Sequence, residues 1–142
     1  MNSIKRFEDL KCWQASRQLV KEIFMISEAG KLATDFDTKS QLRRAALSSM
    51  NNIAEGFGRF SRKEFIRFLD MSQSSVLEVE SILYVLEDLS YLPVEKIGAI
   101  RAKADETKNL TLALIRYLRS KEKSITEKTK SITQKTKRVD LI

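Results

Sequence analysis

Apolar residues recur every three or four positions through four long stretches of this chain, the spacing of helices that each bury one side. The first stretch runs from about Asp9 to Gly30, with Asp9 placed as an N-cap and Trp13, Val20, Ile23, Phe24 and Ser27 at helical intervals. A polar connection, KLATDFDTK, follows. The second runs from about Ser40 to Glu55. On a wheel of 100° per residue, Leu42, Ala46, Ser49 and Ile53 share one stripe, and Arg44, Ser48, Asn51 and Glu55 lie opposite. Gly56 reads as a left-handed residue closing this helix, and Ser61 followed by Glu64 is a capping box opening the next. The third stretch spans about Arg62 to Ser90, its main stripe Phe65, Leu69, Ser72, Val76, Val79 and Leu83. The fourth spans about Val94 to Ser120, with Pro93 suited to its first turn and Ile97, Ile100, Ala104, Leu110, Leu114, Tyr117 and Leu118 on its apolar face. Four helices with short connections predict an all-α, antiparallel up-down four-helix bundle over residues 1–120.

The third helix carries two further apolar edges, one of Ile66, Leu77 and Tyr84 and one of Met71, Ile82 and Leu89. A helix apolar on three sides needs more cover than a lone bundle supplies, so self-association is expected. Between the main stripe and the Tyr84 edge runs a polar thread, Gln73, Glu80 and Glu87, at intervals of seven. Arg43 projects from the rim of the second helix's apolar face. An arginine placed there usually finds a carboxylate, so a structural ion pair from Arg43 to Glu80 or Glu87, within the chain or between subunits, is expected ahead of a ligand contact.

Beyond residue 120 the pattern changes. KSITEKTKSITQKTK is a near-perfect tandem repeat of KSIT(E/Q)KT, with Ile125, Ile132 and Val139 as its recurring large apolar residues. One such residue per heptad makes no coiled-coil seam, and threonine is a poor helix former, so 121–142 is expected to be a mobile basic tail, with a fraying helical continuation as the lesser alternative. The chain's net charge is +7 over 142 residues, and this tail, with seven Lys/Arg and three Asp/Glu, supplies +4 of it.

The charge of the remaining part is concentrated in SQLRRAALSSMNNIAEGFGRFSRKEFIRFL, residues 40–69, which holds Arg43, Arg44, Arg59, Arg62, Lys63 and Arg67 against Glu55 and Glu64. Clustered Lys/Arg is the footprint of phosphate-backbone binding, and Arg44, Arg59, Arg62, Lys63 and Arg67 are the candidate nucleic-acid contacts. A solvated face with local ion pairs explains the same residues equally well. The Gly-Phe-Gly of this stretch is no nucleotide loop: no strand precedes it, and no Gly-Lys-Ser/Thr follows. Histidine is absent, which removes the usual general base and the commonest metal ligand, so neither an enzyme, a metal site nor a cofactor is expected. The single cysteine, Cys12, excludes an internal disulfide and suits a reducing cytoplasm. Neither a signal peptide nor a membrane-spanning run is read from the sequence.

FEDLKCWQASRQL at 7–19, then SQLRRAA, NIAEG and S-x-K-E-F-x-R-F-L, resemble the four-helix-bundle proteins encoded in intervening sequences of bacterial 23S ribosomal RNA genes. The likeness covers roughly residues 4–118. The family's pattern has a proline just before the Asn-Ile-Ala-Glu-Gly run, where Ser49 and Met50 stand here, so no helix interruption is expected. The resemblance implies a small cytoplasmic bundle that assembles as a homo-oligomer, often a ring of five, with no enzymatic activity. A distantly similar bundle, the accessory variability protein of diversity-generating retroelements, is a basic pentamer that partners a reverse transcriptase and nucleic acid. The expectation is a self-associating bundle with a basic surface for RNA or DNA. The alternative is a scaffold or protein-binding module whose arginines serve its own interfaces and whose partner protein is unknown.

Overall fold

The computed structural model describes residues 4–140, with side chains for 4–121 and 126–133. Among the described residues the structure is all helix and turn: a single 3-10 turn, Phe7–Asp9, then α1 (Lys11–Ile26), α2 (Gly30–Thr34), α3 (Phe36–Phe57), α4 (Arg62–Asp88) and α5 (Val94–Asp140).

Both ends of the first helix differ from the expected ones. Asp9 does not cap it. The Leu10 amide closes the preceding 3-10 turn on Phe7 O at 3.0 Å, so α1 starts at Lys11 with no side-chain cap. It stops at Ile26 because the buried Ser27 turns its hydroxyl back onto Phe24 O at 2.9 Å, where a serine competes with the helix ladder. The connection expected after it contains α2, which buries Leu32 completely, and it enters α2 through Gly30 at φ 64°, where a side chain would be strained. The next helix begins at Phe36 rather than near Ser40. Its cap is Asp35, whose Oδ1 accepts the Thr38 amide at 3.2 Å while Oδ2 accepts the Tyr91 hydroxyl at 2.9 Å. These bonds hold the Asp35 carboxyl below its ordinary pKa, the Thr38 contribution being the larger. No interruption occurs at Ser49–Met50, and α3 runs on through Gly56.

The start of α4 is as expected, with Ser61 Oγ accepting the Glu64 amide at 2.9 Å. The expected boundary after Ser120 is absent. Helix α5 continues to Asp140, because neither glycine nor proline occurs after Gly98 to break it. Within that extension Thr133 Oγ1 donates to Thr129 O at 3.0 Å, a side-chain bond made inside the helix itself. Ile125 and Val139 of the repeat lie outside the described side chains, and Ile132 is exposed.

Helix α1 packs against α3 and α5, and α4 packs against the same two. The apolar interior is divided. One cluster, with Leu19, Ile23, Leu42, Val79, Leu83 and Ile100, lies toward α2 and the α4–α5 turn. The other, with Leu10, Cys12, Ile53, Leu69, Ile115 and Leu118, lies beneath the α3–α4 corner. Every long helix places small hydroxyl residues between its contributions to the two: Ser16, Ser49, Ser72 and Ser75, and Thr107 with Thr111, all buried. Ser16 Oγ has no partner among the described residues, and the others form short bonds, some across the α3–α4 seam and some within α5. Ser72 Oγ donates to Ser49 O at 2.7 Å, Ser75 Oγ to Ser48 Oγ at 2.9 Å, and Thr111 Oγ1 to Thr107 O at 2.8 Å.

Candidate nucleic-acid interface

The α3–α4 corner is built by close packing. Gly56 lies inside α3, in helical conformation, and not at a left-handed closing position as the sequence reading had it. Its role is space: a Cβ there would meet Phe68 Cβ at 2.7 Å and Phe65 O at 3.3 Å. The bare backbone lets α4 cross directly over the end of α3. Gly58 then takes the C-cap at φ −75°, an ordinary helical value. Phe57 and Phe65 meet edge to face with centroids 6.0 Å apart.

Around this crossing stand four of the five candidate basic residues. The guanidinium of Arg59 lies 4.9 Å from the centre of the buried Phe68 ring, and that of Arg67 lies 5.0 Å from the same ring. One aromatic thus orients two cations. Arg67 also pairs with Glu64 at 3.0 Å. The Glu64 carboxyl is held below its ordinary pKa, first by the bond from Arg67 and then by the charges of Arg67, Arg59 and Lys63. Arg62 and Lys63 form no ion pair among the described residues, and the one ion pair of these four cations there is Arg67 with Glu64. Arg59, Phe60, Ser61 and Arg62 line a cleft of about 600 Å³ that is shared with Phe65 and with Leu118 and Thr126 of α5. The expected basic tail and the expected basic corner therefore border one cleft. Phe60 is fully exposed, at 110%. Sequence reasoning passed over it, although its place between Arg59 and Arg62 in GRFSR was the available signal.

Arg44 does not join this group. It lies 13 residues before Phe57 on α3, a rise of ~20 Å. There it borders a second cleft of about 570 Å³ together with Lys39, Arg43, Phe24 and Phe36.

The expected pairing of Arg43 with Glu80 or Glu87 is not formed within the chain. Arg43 Nε donates to Ser27 Oγ at 2.6 Å, and its guanidinium lies 4.4 Å from the Phe24 ring centre. The apolar rim faces α1, so an aromatic ring and a hydroxyl take the place of a carboxylate. Glu80 pairs instead with Lys108 at 2.9 Å, and Glu87 with Arg101 at 3.2 Å, both across the α4–α5 seam. Arg101 also covers the Tyr84 ring at 3.8 Å. The Glu80 carboxylate raises the pKa of Lys108. Arg43→Ala is therefore expected to cost about 1–2 kcal/mol, one cation–ring contact, one short hydrogen bond to Ser27 and one long one to Phe24 O at 3.5 Å, and not the ~3–5 kcal/mol of a broken buried ion pair. Arg43→Lys should recover little, because the planar group is what stacks. Urea denaturation measures both, and a loss above 3 kcal/mol for Arg43→Ala would reinstate a carboxylate partner.

Burial pushes the Cys12 thiol up to about 11, so it stays protonated near neutral pH. Among the described residues no group of His, Cys, Asp or Glu is placed to hold a metal ion, and no helix is long and apolar enough to cross a membrane.

The profile of the 23S rRNA-intervening sequence protein family matches residues 8–113. A solved structure similar in fold is a protein of unknown function from the S23 ribosomal protein family of Bacteroides thetaiotaomicron. It aligns with a TM-score of 0.69 at 23% identity, covering 74% of this chain and 95% of that one. No curated protein matches.

Proposed function

The chain belongs to the 23S rRNA-intervening sequence protein family, and from that premise we propose that it is a non-enzymatic, self-associating protein whose α3–α4 corner binds RNA or DNA through the phosphate backbone. The observation that carries this reading is the corner itself: Arg59, Arg62, Lys63 and Arg67 beside an open cleft, with Glu64 as the one carboxylate paired among them. Two of the four are held over Phe68, which lowers the ordering cost of binding. Arg44, remote from the corner, belongs in this reading to a separate contact.

The four long helices form, in the same reading, an antiparallel up-down bundle. The cross-helix contacts support it, since Ser49 meets Ser72 while Gly56 meets Phe68, and Glu87 meets Arg101 while Glu80 meets Lys108. Self-association is supported by Met71, Leu77 and Val85 of α4 and by Leu89 at its C-cap, apolar residues that a single chain leaves exposed. The same exposure favours the second reading, a scaffold or protein-binding module, and an assembly of five satisfies either.

Phosphate contact predicts a specific response. In the full-length chain, Arg59→Ala, Arg62→Ala and Lys63→Ala should each weaken binding to RNA or DNA by a similar factor whatever the sequence. Each should lower the slope of log K against log salt by about one, with the melting temperature unchanged. Titration at several salt concentrations measures this. Variants that bind with the wild-type slope would leave the corner structural and the scaffold reading in place.

A further inference from the structure

We infer that the cleft between the α3–α4 corner and α5 takes a single-stranded nucleic acid, one base stacking on Phe60 while the adjacent phosphates lie along Arg59 and Arg62; this rests on the reading of the corner as a phosphate-binding surface.

Phe60 is the central observation. The other aromatic rings of this corner are accounted for: Phe57 and Phe65 contact one another, and Phe68 is buried beneath two guanidiniums. Phe60 alone among them stands fully in water, at 110% exposure and with no ring partner among the described residues. An apolar ring in that position contributes nothing to the interior. It has a cation on either side, Arg59 immediately before it and Arg62 two residues after, and all three line the same cleft. An exposed ring set in a basic groove is the arrangement that receives a single strand, because a base has a π-face to stack and a phosphate to neutralise.

Base stacking excludes a duplex from the contact with Phe60. In a duplex the base faces are already stacked on one another, and only phosphates are offered to a lone ring. A cleft of about 600 Å³ has room for a nucleotide. The N-terminus of α4, a helix of 27 residues, opens at this point and adds its partial positive charge. The opposite wall adds one more charge: the exposed Lys130 lies four residues beyond Thr126, about one turn along the same face of α5. A strand leaving the cleft along that face therefore meets a further cation. The shared chemistry, a base face beside a phosphate, belongs to RNA and to DNA.

The test uses full-length protein and fluorescein-labelled strands of about 12 nucleotides, as RNA, as DNA and as the corresponding duplexes, read by anisotropy at several salt concentrations. Single strands should bind more tightly than duplexes. Phe60→Ala should weaken single-strand binding about tenfold while leaving the salt slope and duplex affinity at wild-type values, and Phe60→Trp should retain binding. Arg59→Ala should instead lower the salt slope by about one. A response to Phe60→Ala in either the RNA or the DNA arm supports the inference and names the strand. If Phe60→Ala binds as wild type while Arg59→Ala is weakened, stacking is overturned and phosphate contact stands. Wild-type protein that binds no strand overturns both. Light scattering completes the test: a Phe60→Ala variant whose assembly mass falls makes the ring a subunit contact and overturns the inference.

Discussion

Leu69→Ala is expected to lose ~2–5 kcal/mol of folding stability, a large share of the ~5–15 kcal/mol that holds a domain together. Leu69 is 0% exposed and lies in the smaller apolar cluster with Ile53, Ile66, Ile115 and Leu118, drawn from α3, α4 and α5. Three helices meet on it, so the cavity left by truncation has no single side chain free to fill it. The loss should extend to the surface above, because the neighbouring Phe68 carries Arg59 and Arg67. Leu69→Met, which conserves volume, should cost less than about 1.5 kcal/mol. Urea denaturation decides, and a cost for Leu69→Ala under about 1 kcal/mol would mean that this end of the interior is loosely packed.

Gly56→Val is expected to cost ~3 kcal/mol, the upper part of the range for overpacking. The first added carbon already lies 2.7 Å from Phe68 Cβ, 3.1 Å from Phe65 Cδ1 and 3.3 Å from Phe65 O. Two of these three atoms belong to or adjoin the α4 backbone and do not rotate away, so the helices must part. Gly56→Ala should destabilise less, because the ~1 kcal/mol that alanine gains over glycine inside a helix offsets part of the clash. Thermal melts of both variants measure the ordering, and a stabilised Gly56→Val would remove close approach as the reason for glycine here.

Helical faces were legible from spacing alone. Leu42, Ala46, Ser49 and Ile53 on α3, and Leu69, Ser72, Val76, Val79 and Leu83 on α4, are buried as the wheel requires. Ser61 with Glu64 marked the start of α4, because a capping box is a local chemical signal. Interhelix partnership was less legible. A wheel gives the angle of Arg43 but not the neighbour standing at that angle, and the ring of Phe24 on α1 proved to be there. Gly56 shows a similar limit: a glycine that admits a neighbouring helix and one that closes a helix look alike in sequence, and only the crossing distance separates them. Leu77 and Tyr84 form an apolar edge on paper, yet both are exposed in the single chain. At the candidate site, the charge cluster was readable but its division was not. Arg44 falls with Lys39 and Arg43, away from the corner, because helical rise separates what the sequence lists together.

The hydroxyl layer between the two apolar clusters has a mechanical meaning. Along the α3–α4 seam its bonds cross from helix to helix, Ser72 to Ser49 and Ser75 to Ser48, in places shielded from solvent. On α5 the corresponding threonines, Thr107 and Thr111, turn their hydroxyls back onto their own helix. Among the ties of α5 to α4 are the partly exposed ion pairs Lys108–Glu80 and Arg101–Glu87, which mobile salt weakens. One seam is thus tied by hydroxyls shielded from solvent, and the other by Gln73 Nε2, which donates to Lys108 O at 3.0 Å, together with ion pairs at its rim. The basic corner sits on the first seam, and the far wall of its cleft belongs to α5, across the seam whose ion pairs respond to salt.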